Sequence, residues 1–216
     1  MATLGELLLD AAYFGKAKAL ADALRAGADV EAKDSNGRSA LMMAANQGNA
    51  DCLSLLIKAR ADIEVNVCSF GWTALMMAAD SGHAECLSLL VKSGADVEAR
   101  DSNGISAAMW AVDSGHVDCL ALLIKARVDV DAKDSNGLTA SMMAARSGHA
   151  NCLSLLIKAG VDIEAKDSQG RTALMWAVDH GHANCQRMIE VEIERLTMAG
   201  EISVPSTAKQ RPSLRV

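Results

Sequence analysis

Residues 34–64 read DSNGRSALMMAANQGNADCLSLLIKARADIE, and this stretch decides the fold. It opens with Asp34-Ser35-Asn36-Gly37, in which an aspartate at the first position and a glycine at the fourth predict a type I turn. The first third of the stretch therefore predicts a tight turn that leads into a run of helix-forming residues.

Two short helices and a finger follow this turn. Ser39 is placed to cap a helix that runs through Gln47, and Gly48 ends it with a residue that tolerates a left-handed backbone. A second helix, from about residue 50 to residue 59, has its apolar residues on one side. Residues 62–64 alternate polar and apolar, which predicts a short extended segment. One unit is therefore turn, helix, helix and extended finger.

The unit repeats along the chain. Glycines that precede a Ser or Thr by two recur at intervals of 34, 33, 33 and 33 residues: Gly37, Gly71, Gly104, Gly137 and Gly170. Five cysteines recur at the same intervals: Cys52, Cys86, Cys119, Cys152 and Cys185. Gly15 precedes Gly48 by 33 residues, which marks an earlier unit. We expect one domain over residues 4–199 with six units, at about 4–33, 34–66, 67–100, 101–133, 134–166 and 167–199.

The units are expected to stack. Each helix is shorter than the roughly 12–15 residues that an isolated helix needs, so each unit must bury a face on its neighbour. The last helix is expected to close the stack and to reach about Met198, with one apolar stripe: Cys185, Met188, Ile189, Ile193 and Leu196. Residues 200–216 lack this periodicity, and we expect a flexible C-terminal tail.

Composition excludes several classes of protein. Apolar residues make up 50% of the 216 residues and aromatic residues only 3%, which favours a helical core of aliphatic side chains. The net charge of −6 and the lack of a basic stripe argue against a nucleic-acid partner. Neither a bilayer-spanning apolar stretch nor a secretory signal is expected. We therefore expect no membrane insertion and a cytoplasmic or nuclear location with reduced thiols.

The repeated motifs resemble ankyrin repeats. The family's T-P-L-H-x-A-A core has counterparts in SALMMAA, TALMMAA, SAAMWAV, TASMMAA and TALMWAV, which begin at Ser39, Thr73, Ser106, Thr139 and Thr172. Four Gly-His pairs match the family's pair between the helices, ending at His83, His116, His149 and His182. The resemblance implies an all-α ankyrin-repeat solenoid of helix-turn-helix units with short extended fingers.

Two departures from the family are systematic. Methionine replaces the histidine of the motif in five units, at Met42, Met76, Met109, Met142 and Met175. The resemblance implies that this histidine links neighbouring units by hydrogen bonds, so packing must hold this stack together. Acidic residues stand where the family usually has asparagine in the finger: Glu31, Glu64, Glu98, Asp131 and Glu164. Together with nearby cations they predict a solvated ladder of ion pairs.

No catalytic residue, cofactor or metal site is expected. The cysteine column is interpreted as small buried side chains, because helices 8–10 Å apart cannot bring equivalent cysteines into disulfide or zinc geometry. The histidine column is expected to satisfy free backbone groups. The run Asp80-Ser81-Gly82-His83 cannot converge as a hydrolytic triad does. Cys68 replaces the turn aspartate and is the one thiol expected to be exposed and reactive.

The resemblance implies that the protein binds one or more other proteins through the concave face of the stack, as an adaptor or scaffold. The alternatives are a regulatory or inhibitory subunit of an enzyme or transcription factor, and an assembly chaperone. The residue after each turn glycine is expected near that face. We expect Phe70, Trp72, Ile105 and Leu138 to anchor the partner. Arg38 and Arg171 are expected to steer acidic groups at the edges.

Overall fold

The computed structural model describes residues 2–67 and 70–202. Cys68 and residues 203–216, and with them the predictions of a reactive thiol and of most of the flexible tail, lie outside this part. The described residues form twelve helices: α1 Leu4–Tyr13, α2 Ala17–Arg25, α3 Ala40–Asn46, α4 Ala50–Lys58, α5 Ala74–Asp80, α6 Ala84–Lys92, α7 Ala107–Asp113, α8 Val117–Lys125, α9 Ala140–Ser147, α10 Ala150–Lys158, α11 Ala173–Asp179 and α12 Ala183–Met198. We propose that these helices form the six expected units, with one pair of helices in each unit.

The first helix of each repeated unit begins at the predicted cap. The Ser39 hydroxyl accepts a hydrogen bond from the backbone N–H of Met42 at 3.3 Å, and Thr73 caps α5 in the same way. The helices α3 and α4 each end one residue before the predicted position, at Asn46 and Lys58. The two-helix pattern predicted from the sequence is confirmed.

The fingers are less extended than expected. Ile63 and Glu64 lie in a turn, and the short strands β1 (Asn66–Val67) and β2 (Trp72–Thr73) pair in antiparallel fashion. The paired residues Asn66 and Thr73 are seven positions apart in the sequence. The bridged pairs Lys33–Ser39 and Arg100–Ser106 are six positions apart. The extra residue of the third unit therefore lies between the paired residues Asn66 and Thr73.

The core runs through the whole stack. Successive first helices pack on one another, as do successive second helices. The methionines that replace the family's histidine are at most 1% exposed in the four inner positions, and only Met175 in the last unit is exposed: Met42, Met76, Met109 and Met142 form the buried column. The helix α12 closes the end with buried Cys185 and Ile189, as predicted.

The acidic finger residues do not form the expected ladder of ion pairs. No salt bridge within the described residues involves a finger cation. Instead four of the five carboxylates accept a hydrogen bond from a backbone N–H of the next unit: Glu31 from Asp62, Glu64 from Asp96, Glu98 from Asp129 and Asp131 from Asp162, at 2.7–3.0 Å. The prediction was wrong because a carboxylate is an acceptor for an N–H as well as for a cation. The fingers thus link the units by hydrogen bonds, so the expectation that packing holds the stack together is wrong in this respect.

Candidate functional site

A carboxylate at the start of each regular turn fixes the residues expected to bind a partner. In the fourth unit, the Asp101 Oδ1 atom accepts the backbone N–H of Asn103 at 2.8 Å and of Ile105 at 2.9 Å. Asp34, Asp134 and Asp167 make the same pair of bonds in their units. The residue after the turn glycine is therefore held at an equivalent place in four units.

The turns also bond to one another. The backbone N–H of Ser102 donates to the carbonyl of Phe70 at 2.9 Å, and Ser135 donates to Asn103 in the same way at 2.9 Å. Ser168 continues the series by donating to Asn136 at 3.0 Å. The turn tips of the third to sixth units therefore lie side by side along one edge of the stack.

The predicted anchor residues differ in exposure. Phe70 is 61% exposed, whereas Trp72 and Ile105 are half-buried. Leu138 is only 7% exposed, because it packs into the core below the turn. The expected strip of exposed apolar residues is therefore interrupted at the fifth unit, and Leu138 forms a wall there rather than an exposed anchor.

Trp110 is a neighbour of the site that is not among the residues predicted from the sequence. Its ring lies against that of Trp72, with centroids 4.4 Å apart and planes tilted by 52°. This contact joins the third unit to the fourth through two large aromatic side chains. The sequence spacing could have indicated that Trp110 lies near the site. Trp110 follows the predicted site residue Ile105 by five positions, just as Trp176 follows the predicted site residue Arg171 by five.

The two predicted edge arginines have partners within their own units. The Arg38 Nε atom donates to the Asp34 Oδ2 atom at 2.8 Å. Arg171 Nε donates to Asp167 Oδ2 at 3.1 Å, and its guanidinium lies 3.6 Å from the centroid of the Trp176 ring. Both side chains remain about one-third exposed, so each arginine presents charge while being held by its turn aspartate.

The ion pair of the last unit should make stability depend on pH. Burial disfavours ionisation of Asp167, but the backbone N–H groups of Arg171 and Gln169 and the Arg171 guanidinium outweigh it and hold its pKa below 3.8. A carboxylate with a depressed folded-state pKa stabilises the protein above the unfolded pKa, and this contribution is lost as the pH falls through the folded value. The melting temperature of the wild-type protein, measured by circular dichroism, should therefore fall further between pH 5 and pH 3 than that of Asp167→Asn. Parallel losses in the two proteins would contradict the assignment.

A pocket of about 240 Å³ lies beside the turns of the fourth and fifth units. Its walls combine apolar, amide and charged side chains: Asn103, Ile105, Trp110, Asp113, Asp134, Asn136, Leu138, Met143 and Arg146. The volume is several times the roughly 30 Å³ that one liquid water occupies. Two of the predicted site residues, Ile105 and Leu138, thus meet at one concavity.

The fourth unit also holds two buried polar atoms without a partner in the described structure, Asp101 Oδ2 and Trp110 Nε1. The equivalent atoms of the sixth unit satisfy each other, since Trp176 Nε1 donates to Asp167 Oδ2 at 3.2 Å. Trp110 packs against Trp72 instead. An unsatisfied buried polar group costs about 1–3 kcal/mol. The fourth unit therefore has a polar cost that the sixth unit avoids by pairing the equivalent atoms.

Side chains that suggested chemistry serve mainly as links between units. The Ser81 hydroxyl donates to Asn46 Oδ1, and the Ser114 hydroxyl donates to Asp80 Oδ1 at 2.7 Å. Two histidines of the column donate to carbonyls of the preceding unit, as expected: His149 to Asp113 and His182 to Arg146. No group of three metal-ligating side chains is found in the part of the chain described.

The five regularly spaced cysteines are buried and have free thiols. Burial raises the pKa of Cys86, Cys119 and Cys152 to about 11, with nearby carboxylates adding to the rise for Cys86 and Cys119. Thiolate is the reactive form of cysteine, so these three side chains are held in their unreactive form near neutral pH.

The comparisons with known proteins agree with this architecture. A family model described as ankyrin repeats (3 copies) matches residues 8–101, 59–134 and 108–194. A search of curated proteins returned no match. Across residues 2–67 and 70–202, no helix has the length and apolar character needed to span a bilayer. The family matches and the stacked helix pairs together establish that the chain belongs to the ankyrin repeat family.

Proposed function

We propose that this protein is an adaptor or scaffold that binds another protein through the concave face of its stack, at the turns of the third to fifth units. Ankyrin repeats are protein–protein interaction modules. The observation that carries it is the juxtaposition of exposed Phe70, the Trp72–Trp110 pair and the pocket at Ile105.

The chemistry of this surface suits an interface. Aromatic side chains beside a concavity are typical of binding hot spots, and the polar walls of the pocket offer hydrogen bonds for specificity. Arg38 and Arg171 would contribute charge at the two edges. We propose a binding role without catalysis, in the cytoplasm or nucleus, since the buried free thiols suit a reducing compartment.

Replacement of Trp72 by alanine should weaken binding by about 2 kcal/mol or more, which is roughly thirtyfold in Kd. The expected loss comes from the indole area that the partner would cover and from the displacement of Trp110, whose ring packs against that of Trp72. The partner is recovered by affinity purification with the wild-type protein, purified, and titrated by calorimetry against wild type and Trp72→Ala.

The chain offers a matched pair of exposed phenylalanines as a control. Phe70 in the proposed surface is 61% exposed and Phe14 in the first unit is 62% exposed. Phe70→Ala should weaken binding and Phe14→Ala should not. Equal affinities for wild type, Trp72→Ala and Phe70→Ala, with unchanged melting temperatures, would move the interface to another face.

A further inference from the structure

We infer that the pocket between the fourth and fifth units binds an arginine side chain of the partner protein, with its guanidinium on Asp134 and against the ring of Trp110. This inference deepens the proposed function, because it assigns the chemistry of the partner group that enters the surface.

The second and sixth units show what the turn carboxylate binds. In both, the Oδ1 atom of the aspartate holds the turn, and the Oδ2 atom accepts from an arginine four residues later, Arg38 or Arg171. The turn carboxylate thus has one oxygen for the backbone and one for a guanidinium. A bidentate or charge-assisted bond of this kind is stronger than a neutral one.

The fifth unit keeps the carboxylate but lacks the arginine. Leu138 occupies the equivalent position, and Asp134 Oδ1 accepts the backbone N–H groups of Asn136 and Leu138 at 2.8 Å each. The Oδ2 atom accepts no hydrogen bond from the residues that the structure describes, and the Asp134 side chain lines the pocket. Asp101 of the fourth unit also lacks an arginine, but its Oδ2 atom is enclosed and does not line the pocket.

The pocket also has a tryptophan, the residue type on which a guanidinium packs in the sixth unit, among its lining residues. In the sixth unit the Arg171 guanidinium lies 3.6 Å from the centroid of Trp176. Trp110 is the equivalent tryptophan of the fourth unit, and it lines the pocket next to Ile105. Trp110 belongs to the fourth unit and Asp134 to the fifth, but both line this one pocket. A tryptophan and a carboxylate in one pocket favour arginine over lysine, because the planar guanidinium both stacks and forms directed hydrogen bonds.

The charge balance of the pocket agrees with a cationic guest. Its walls carry Asp113, Asp134 and Arg146, a net charge of −1. Arg146 is already committed to Asp113, with its NH2 group 2.9 Å from the Oδ1 atom. One added guanidinium would neutralise the remaining carboxylate, and the volume of about 240 Å³ leaves room for the side chain.

Selection from a phage-displayed library of random dodecapeptides supplies a probe for the test. Peptides enriched on the wild-type protein should share an arginine, and replacement of that arginine by citrulline should weaken binding about tenfold or more. Asp134→Asn should cause a similar loss. Asp118→Asn changes the net charge equally at an exposed position on α8 and should bind as wild type does.

A second pair of variants tests the pocket by filling it. Leu138→Arg gives the fifth unit an arginine four residues after its turn aspartate, as in the second and sixth units. The guanidinium of this new arginine should bind Asp134 and exclude the peptide. Leu138→Met keeps an apolar side chain of similar volume and should retain binding. Melting temperatures of both variants show that each remains folded.

The outcomes separate this inference from the proposed function. Selected peptides without a shared arginine, or peptides that bind Asp134→Asn and Leu138→Arg as tightly as wild type, would overturn the arginine pocket. If such peptides still lose affinity for Trp72→Ala, the binding surface stands and only its chemistry is wrong. Peptides insensitive to all these variants would overturn both, as would a selection that enriches none.

Discussion

Truncation of the chain after Arg187 is expected to unfold the last unit and cause aggregation. The deletion leaves only the first five residues of α12 and removes Met188, Ile189, Ile193 and Leu196 from the end of the core. Each fully buried side chain of this type contributes about 1.5–3 kcal/mol, and Ile189 is fully buried. With the partly buried Met188, Ile193 and Leu196 added, the combined loss of about 5 kcal/mol approaches the total stability of many domains.

Size-exclusion chromatography and thermal unfolding measure this effect. The matched control is removal of residues 202–216, which leaves α12 intact and should leave the melting temperature nearly unchanged. A truncated protein that stays monomeric with the wild-type melting temperature would show that α12 does not close the stack. A large loss on the shorter deletion would instead move the boundary of the domain beyond residue 200.

Replacement of Gly148 by alanine is expected to destabilise the stack by about 3 kcal/mol. Gly148 has a φ of 76°, in the left-handed region that costs other residues about 1–2 kcal/mol. A Cβ atom there would also lie 2.6 Å from the Nδ1 atom of His182, whose ring is held by its bond to the Arg146 carbonyl. The substitution therefore strains the backbone and displaces a link between two units.

Gly160→Ala is the matched control. Gly160 has a φ of 84°, but a Cβ atom there meets nothing within 4 Å. The chain already has Arg60 and Arg127 at the equivalent position with φ values of 65° and 66°. Gly160→Ala should cost only about 1 kcal/mol in urea unfolding. Equal losses for the two substitutions would show that contact with His182 adds nothing.

The local structure was predictable because it depends on residues close in sequence. Ser39 as a cap, Gly48 as a left-handed residue after the first helix and the apolar stripe of α12 follow from turn chemistry and helical spacing. The period of 33 residues then determines how the units repeat. Each of these features can be predicted without knowing which atoms of neighbouring units are in contact.

Contacts between side chains of different units were harder to predict. Glu64 bonds to a backbone N–H of the next finger rather than to a cation, and Leu138 lies too deep to be an exposed anchor. Trp110 packs against Trp72 although its counterpart Trp176 bonds to an aspartate. Such choices depend on distances between units, which the repeat pattern does not specify. Comparison of equivalent positions across units could have shown that Arg38 and Arg171 pair with their turn aspartates.

The proposed binding face is tested most directly by amide hydrogen exchange of the protein with and without its purified partner. Binding at the turns should slow exchange over residues 70–73, 102–105 and 135–138, where the tips lie side by side. The second helices α4, α6, α8 and α10 should keep their exchange rates. Protection confined to those second helices, with the turns unchanged, would contradict the central claim that the turns of the third to fifth units form the interface.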